Sequence, residues 1–183
     1  MNKNNKILCS KKDISMKQLR VVYLNLFIIS LLGFLFFSLN FLPTFEAANV
    51  NLEKETFTMF EIAFGSSELV MNGLIFSSLI TSFIASCLML VAAILCLKFK
   101  TFSSLFALLI GIAFLLYTFT FVVFLLNPLL ASYTFSVFET FSSLWTIYLL
   151  SLLLFYIVLS SLGLLIYSSI VCYQEINLVK EGN

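Results

Sequence analysis

The sequence predicts an all-α integral membrane protein in which four transmembrane helices form a bundle. Of its 183 residues, 61% are hydrophobic and 10% are charged, whereas a soluble domain carries about 25% charged residues. The charges are also segregated and leave four uncharged stretches, at 21–45, 69–97, 101–138 and 140–174. Each exceeds the roughly 20 residues that a helix needs to cross the hydrocarbon core. Because backbone groups in lipid must bond within their own segment, we expect each stretch to be helical.

The distribution of basic residues predicts the orientation of these spans. Six basic residues precede the first span against one acid, Asp13; they are Lys3, Lys6, Lys11, Lys12, Lys17 and Arg20. Lys98 and Lys100 lie between the second and third spans, without an acid. The connection between the first and second spans contains five glutamates and one basic residue, Lys54. By the positive-inside rule, both termini are predicted to be cytoplasmic and the glutamate-rich loop faces outward.

The sequence indicates an internal repeat of two hairpins; the alternative is shared composition between two apolar hairpins. Ten of 42 positions are identical, without a gap, between residues 20–61 and 98–139, and the matched elements fall at matched depths. We therefore predict tandem duplication of a helical hairpin, with repeats related by an axis along the membrane normal. The predicted segments are a basic N-terminal tail (1–19), two hairpins (20–97 and 98–172) and a C-terminal tail (173–183).

A capping-box pattern occurs once in each repeat. Thr58 precedes Glu61 by three residues, and Ser136 precedes Glu139 by the same spacing. In a capping box, the hydroxyl accepts a hydrogen bond from a backbone N–H in the first turn, and the glutamate accepts one from the N–H of the cap residue. This pattern predicts helices that begin near Thr58 and Ser136. The alternative is that Glu61 and Glu139 form a paired cation or substrate site at an outer mouth.

The two predicted helices differ in their continuation. From Ser136, a continuous helix to Cys172 is expected, with Phe135, Phe138, Phe141 and Trp145 in one aromatic stripe at helical spacing. After Thr58, the breakers Gly65-Ser66-Ser67 and Asn72-Gly73 instead predict a short interfacial helix, a bend, and then the crossing.

Small residues predict where the helices contact one another, because lipid provides no hydrophobic force between them. Such residues recur at spacings that place them on one face of a span. The candidate packing positions are Gly33, Ser78, Ser82, Ser86, Ala107, Gly111 and Gly163. A hydroxyl-lined polar path, mostly along the second span, is the alternative interpretation of the three serines.

The chain lacks several kinds of catalytic chemistry. It contains no histidine, no metal-ligand spacing and no nucleotide-binding or nucleophile-elbow motif. No acid or base lies deep within a span, whereas ion-coupled transporters usually contain an intramembrane ionisable group. We therefore expect no enzymatic activity and no cofactor.

These observations favour a non-enzymatic multi-pass membrane protein that acts through helix packing with itself or with other membrane proteins. The alternative is a channel or transporter subunit for a small solute, because transport folds often arise by duplication. The expected partners are the lipid bilayer and a second copy or another membrane protein, and nucleic acid is not expected. Nine lysines against one arginine are typical of an AT-rich genome, so we predict the plasma membrane of a bacterial source.

Overall fold

The computed structural model describes residues 3–48, 54–66, 69–99, 104–135, 138 and 140–181, and it is mostly helical. In chain order the elements are α1 (Lys3–Leu39), β1 (Pro43–Ala48), β2 (Lys54–Thr58), α2 (Met59–Phe64), α3 (Gly73–Phe99), α4 (Ser104–Leu125), α5 (Asn127–Thr134), β3 (Thr140–Ser143) and α6 (Trp145–Glu181).

Four of the helices are long and apolar enough to cross a membrane. Their spans are Arg20–Leu39 in α1, Gly73–Leu97 in α3, Leu105–Leu125 in α4 and Trp145–Ile170 in α6. Helix α1 packs against α3 and α6, and α4 packs against the same two helices. The prediction of four apolar spans is therefore confirmed.

The description of the chain as all-α is wrong, because strands form outside the spans. The strand order is β2-β1-β3, and both pairings are antiparallel. In the register, Glu46 lies opposite Thr56 on β2 and Ser142 on β3. Backbone groups beyond the spans still need hydrogen-bond partners, and here pairing between distant segments provides them. We call strands β1–β3, together with α2 and α5, the sheet subdomain.

The predicted helix start near Ser136 is also wrong. Residues Thr140–Ser143 form β3, and α6 begins only at Trp145. The backbone N–H of Leu144 donates to the carbonyl of Thr44 (2.8 Å). Pairing with β1 outweighs the local helical periodicity of the aromatic residues, because context decides strand formation more than intrinsic preference does. Ser136 and Glu139 themselves lie outside the described residues.

The repeat seen in the sequence does not extend to secondary structure around the sheet. Residues Pro43–Ala48 form β1, but the matched residues 121–126 form the end of α4 and the turn after it. Thr56 lies in β2, whereas the matched Thr134 is the last residue of α5. The two halves are therefore built differently in the region between their helices.

Candidate functional site

The capping box at Thr58 starts α2. The Thr58 hydroxyl accepts from the Glu61 backbone N–H (3.2 Å), and the Glu61 carboxylate accepts from the Thr58 backbone N–H (2.7 Å). The helix ends at Gly65, whose φ of 79° lies in the left-handed region that favours glycine. A short helix and then a break before α3 agree with the sequence-based prediction for this segment. The Glu61 carboxylate is thus engaged by a backbone donor.

A mutation series separates capping from ion binding at Glu61. We expect Glu61→Gln to be mild, because an amide oxygen can still accept the bond, and Glu61→Ala and Thr58→Ala to cost about 0.5–2 kcal/mol each. Thermal unfolding in detergent would measure this. Thr56→Ala is the matched control, since Thr56 is exposed on β2. If Glu61→Gln were as damaging as Glu61→Ala, the negative charge would be required and capping would not explain the residue.

Asn72 connects three elements where α3 begins. Its side-chain oxygen accepts from the Ile75 backbone N–H (3.3 Å), which caps α3. Its side-chain nitrogen donates to the Thr134 hydroxyl (3.1 Å), and its backbone N–H donates to the Ile62 carbonyl (3.1 Å). Asn72 is 8% exposed. This contact with α5 could not be predicted from the sequence, where Asn72-Gly73 indicated only a break.

Aromatic rings fill the interior of the sheet subdomain. Phe135 is 1% exposed. Its ring lies 5.7 Å from that of Phe45 on β1, 5.3 Å from that of Phe57 on β2, and 5.6 Å from that of Phe141 on β3, with which it stacks. One ring therefore contacts all three strands. The predicted helical stripe is replaced by a cluster that closes this end of the molecule with apolar groups.

An ion pair lies on the exposed side of the sheet. The Lys54 ammonium lies 2.6 Å from the Glu46 carboxylate, and the lysine side chain is 72% exposed. The hydrogen bond and the negative charge of Glu46 raise the pKa of Lys54 above its ordinary value. Because solvent screens such pairs, we assign it to strand alignment and not to stability.

A hydroxyl cluster joins α1, α3 and α4 within their spans. The Ser30 hydroxyl donates to the Ser86 carbonyl (3.0 Å), and the Ser86 hydroxyl donates to the Ser82 carbonyl (2.8 Å). Because the Ser86 proton is used in that bond, the Tyr117 phenol is the donor in the 3.0 Å bond to the Ser86 oxygen. A Cβ at Gly33 would lie only 2.2 Å from the Tyr117 oxygen. Gly33 is therefore the residue whose lack of a side chain admits this phenol.

A second hydroxyl contact joins α3 to α4. The Thr120 hydroxyl oxygen lies 3.1 Å from that of Thr81 and 3.2 Å from the Ser78 carbonyl oxygen. The hydroxyls of Ser78 and Ser82 donate to carbonyls of their own helix, and both residues are fully buried. Each hydroxyl on this face thus has a protein partner. This arrangement fits helix packing better than a path for a polar solute.

The other candidate packing positions differ among themselves. A Cβ at Gly111 would contact only the Leu165 Cδ1, at 3.9 Å, and at Gly163 it would meet nothing within 4 Å. Ala107 is half-buried and Gly163 is exposed. Within this chain, Gly111 and Gly163 are therefore not sites of close backbone approach.

Helix α6 leaves much of its surface uncovered: in an 18-residue stretch of its span 28% of the residues are buried, against 44% in α3. Large apolar side chains recur on its exposed face at alternating spacings of three and four residues. They are Tyr148, Leu152, Phe155, Leu159, Leu162 and Ile166, each at least 37% exposed. Tyr156 is 56% exposed, and its phenol has no hydrogen-bond partner among the described residues.

The structure brings together some of the predicted site residues and not others. Thr58 and Glu61 are bonded to each other, whereas their predicted counterparts, Ser136 and Glu139, are not described. Sequence reasoning missed Tyr117 and Thr120, whose one available signal was their polarity within an apolar span. No group of three or more metal-ligating side chains occurs among the described residues. No protein-family model, curated protein or solved structure matches this chain.

Proposed function

We propose that this chain is a non-enzymatic multi-pass membrane protein that associates, through the exposed face of α6, with a second copy of itself or with another membrane protein. The single observation that carries the proposal is the phenol of Tyr156, which has no hydrogen-bond partner among the described residues. This residue lies about 16 Å along α6 from Trp145 and about 21 Å from Ile170. From this depth the side chain cannot reach either interface, and an unbonded hydroxyl in hydrocarbon is unfavourable.

The interior of the chain supports an interaction role. The hydroxyls of Ser30, Ser86 and Tyr117 bond within the protein, and no aspartate, glutamate or lysine lies within the four spans. The interior of the spans therefore lacks these charged groups, and other molecules would contact the outer surface of the spans. We place both termini in the cytoplasm on the basic-residue asymmetry, with the sheet subdomain outside.

The alternative function, a channel or transporter subunit, requires a path lined by groups that are free to contact solute. The hydroxyls on the buried face of α3 instead donate to carbonyls of their own helix. A solute path would thus have to form between copies. The duplication that motivated this alternative is weakened by the different secondary structures of the matched segments.

Removal of the phenolic oxygen of Tyr156 tests the proposed association through α6. We expect Tyr156→Phe to weaken association about three-fold to 18-fold, the effect of about 0.6–1.7 kcal/mol for one interhelical hydrogen bond in a membrane. Tyr148→Phe is the matched control, because that phenol lies one turn from the start of the span and can reach water. Association would be measured by resonance energy transfer between labelled chains in liposomes, alone and with candidate partner proteins. Equal effects of the two substitutions, or no association of any kind, would contradict the proposal.

A further inference from the structure

A groove between α1 and α6 holds polar groups that have no partner among the described residues. It has a volume of about 290 Å³ and is lined by Val21, Asn25 and Ile29 of α1 and by Ser160, Gly163 and Tyr167 of α6, with Leu164 at its base. It lies in the half of the spans nearest the chain termini, reaching about 13 Å from Arg20 to Ile29 along α1. We call it the α1–α6 groove.

Ser160 differs from the other span hydroxyls that the structure describes. The rest of the serines and threonines in the four spans donate to a carbonyl. Ser160 and the Tyr167 phenol have no partner among the described residues. Asn25 uses one amide hydrogen on the Val21 carbonyl (2.9 Å). The other amide hydrogen and the two hydroxyl hydrogens are therefore free donors that line one cavity.

We propose that the α1–α6 groove binds the glycerol-ester region of an anionic phospholipid. Ester carbonyls and phosphate oxygens are acceptors, which is the complement of the free donors of Asn25 and Tyr167. These two residues lie about 8 Å and about 5 Å from the span ends at Arg20 and Ile170, within reach of ester groups, whereas Ser160 lies about 15 Å from Ile170, at the depth of the acyl chains. The volume is at the lower end of ligand-site sizes, which suits part of a lipid.

The preference for an anionic headgroup comes from basic residues at the cytoplasmic end of α1. Arg20 is exposed one residue before Val21, and five lysines precede it in the sequence. Basic residues at a membrane surface attract anionic lipid. A headgroup above the groove would therefore lie beside positive charge.

The lipid site adjoins Tyr156, which precedes Ser160 by four residues and Gly163 by seven and therefore lies on the same side of α6. The groove residues Ser160 and Tyr167 flank α1, whereas Leu152, Leu159 and Ile166 point away from the rest of the chain. The lipid site requires only that the four spans cross a bilayer. It does not require that the chain associate, and because lipid retention and association are measured separately, either inference can fail alone.

Retention of defined lipids by the full chain tests the site. The protein would be reconstituted in nanodiscs of phosphatidylglycerol and phosphatidylcholine in equal amounts, released into mild detergent, and its bound lipids counted by native mass spectrometry. We expect phosphatidylglycerol to be retained in preference. The double variant Asn25→Leu/Tyr167→Phe should retain roughly eight-fold less of it, the effect of losing two hydrogen bonds in a membrane. Arg20→Gln should reduce the preference for phosphatidylglycerol without abolishing phospholipid retention.

Controls distinguish a lipid site from other occupants. Ser169→Ala should change nothing, because that hydroxyl bonds to the Leu165 carbonyl outside the groove. Gly163→Leu fills the groove, and since a Cβ there meets no neighbour, we expect the variant to fold and to lose bound lipid. Equal retention by the wild type and the double variant would overturn the proposal. So would a dimer in lipid-free micelles that Gly163→Leu dissociates, because the occupant would then be a helix of a second copy.

Discussion

Replacement of Gly33 by alanine is expected to destabilise the protein by about 1–3 kcal/mol, the usual effect of an added methyl group in a packed interior. The new Cβ would lie 2.2 Å from the Tyr117 oxygen and 2.3 Å from the Ser86 oxygen. These atoms are hydrogen-bonded to each other and buried, so they cannot move apart freely. A loss of stability would be informative, because replacing glycine by alanine within a helix otherwise stabilises it by about 1 kcal/mol.

Gly163→Ala is the matched control, and thermal unfolding in detergent is the measurement. It adds the same methyl group to α6, where nothing lies within 4 Å, so we expect a neutral or slightly stabilising effect. Removing the Ser86 and Tyr117 oxygens should restore the stability that Gly33→Ala loses. In Gly33→Ala/Ser86→Ala/Tyr117→Phe, both oxygens that meet the new Cβ are gone, and the Ser86 Cβ remains at 3.2 Å. If Gly33→Ala matched Gly163→Ala in stability, α1 would not approach α3 and α4 this closely.

Phe135→Ala is expected to produce the other large effect, about 3–5 kcal/mol, which is typical for removal of a buried phenylalanine side chain. The Phe135 ring contacts the rings of Phe45, Phe57 and Phe141, one from each strand. Its removal leaves a cavity next to aromatic rings of all three strands. We expect the sheet subdomain to open at lower temperature while the four spans remain helical.

Hydrogen exchange of the β1 amides, compared with those of α3, would detect this local opening. Phe64→Ala is the control, because Phe64 is 60% exposed and its loss should cost much less. Phe135→Leu should be intermediate, since it keeps part of the buried volume. Comparable protection of β1 in the Phe135 and Phe64 variants would show that the aromatic cluster does not hold the strands together.

The candidate site could be predicted only in part. The Thr58 and Glu61 capping contact spans three residues, so the sequence contains both halves of it. The break before α3 could be recognised at Asn72, but its bond to Thr134 joins residues 62 positions apart. No local pattern indicates such a contact. For the same reason, the free donors of the α1–α6 groove were individually visible as polar residues, but their convergence on one cavity was not.

The sequence alone determined that four apolar segments are suited to crossing a membrane, because the transfer of a helix into lipid depends on its own composition and length. It also determined where α2 begins, because capping acts within one turn. Only the tertiary structure decided that β1 pairs with β3 across about a hundred residues, and that Gly33 is a close contact while Gly163 is not. These spans are apolar on all sides, so their sequences lack the amphipathic stripe that would indicate which face is inside. Rotation of each helix is instead set by how side chains such as Tyr117 and Ser86 fit one another.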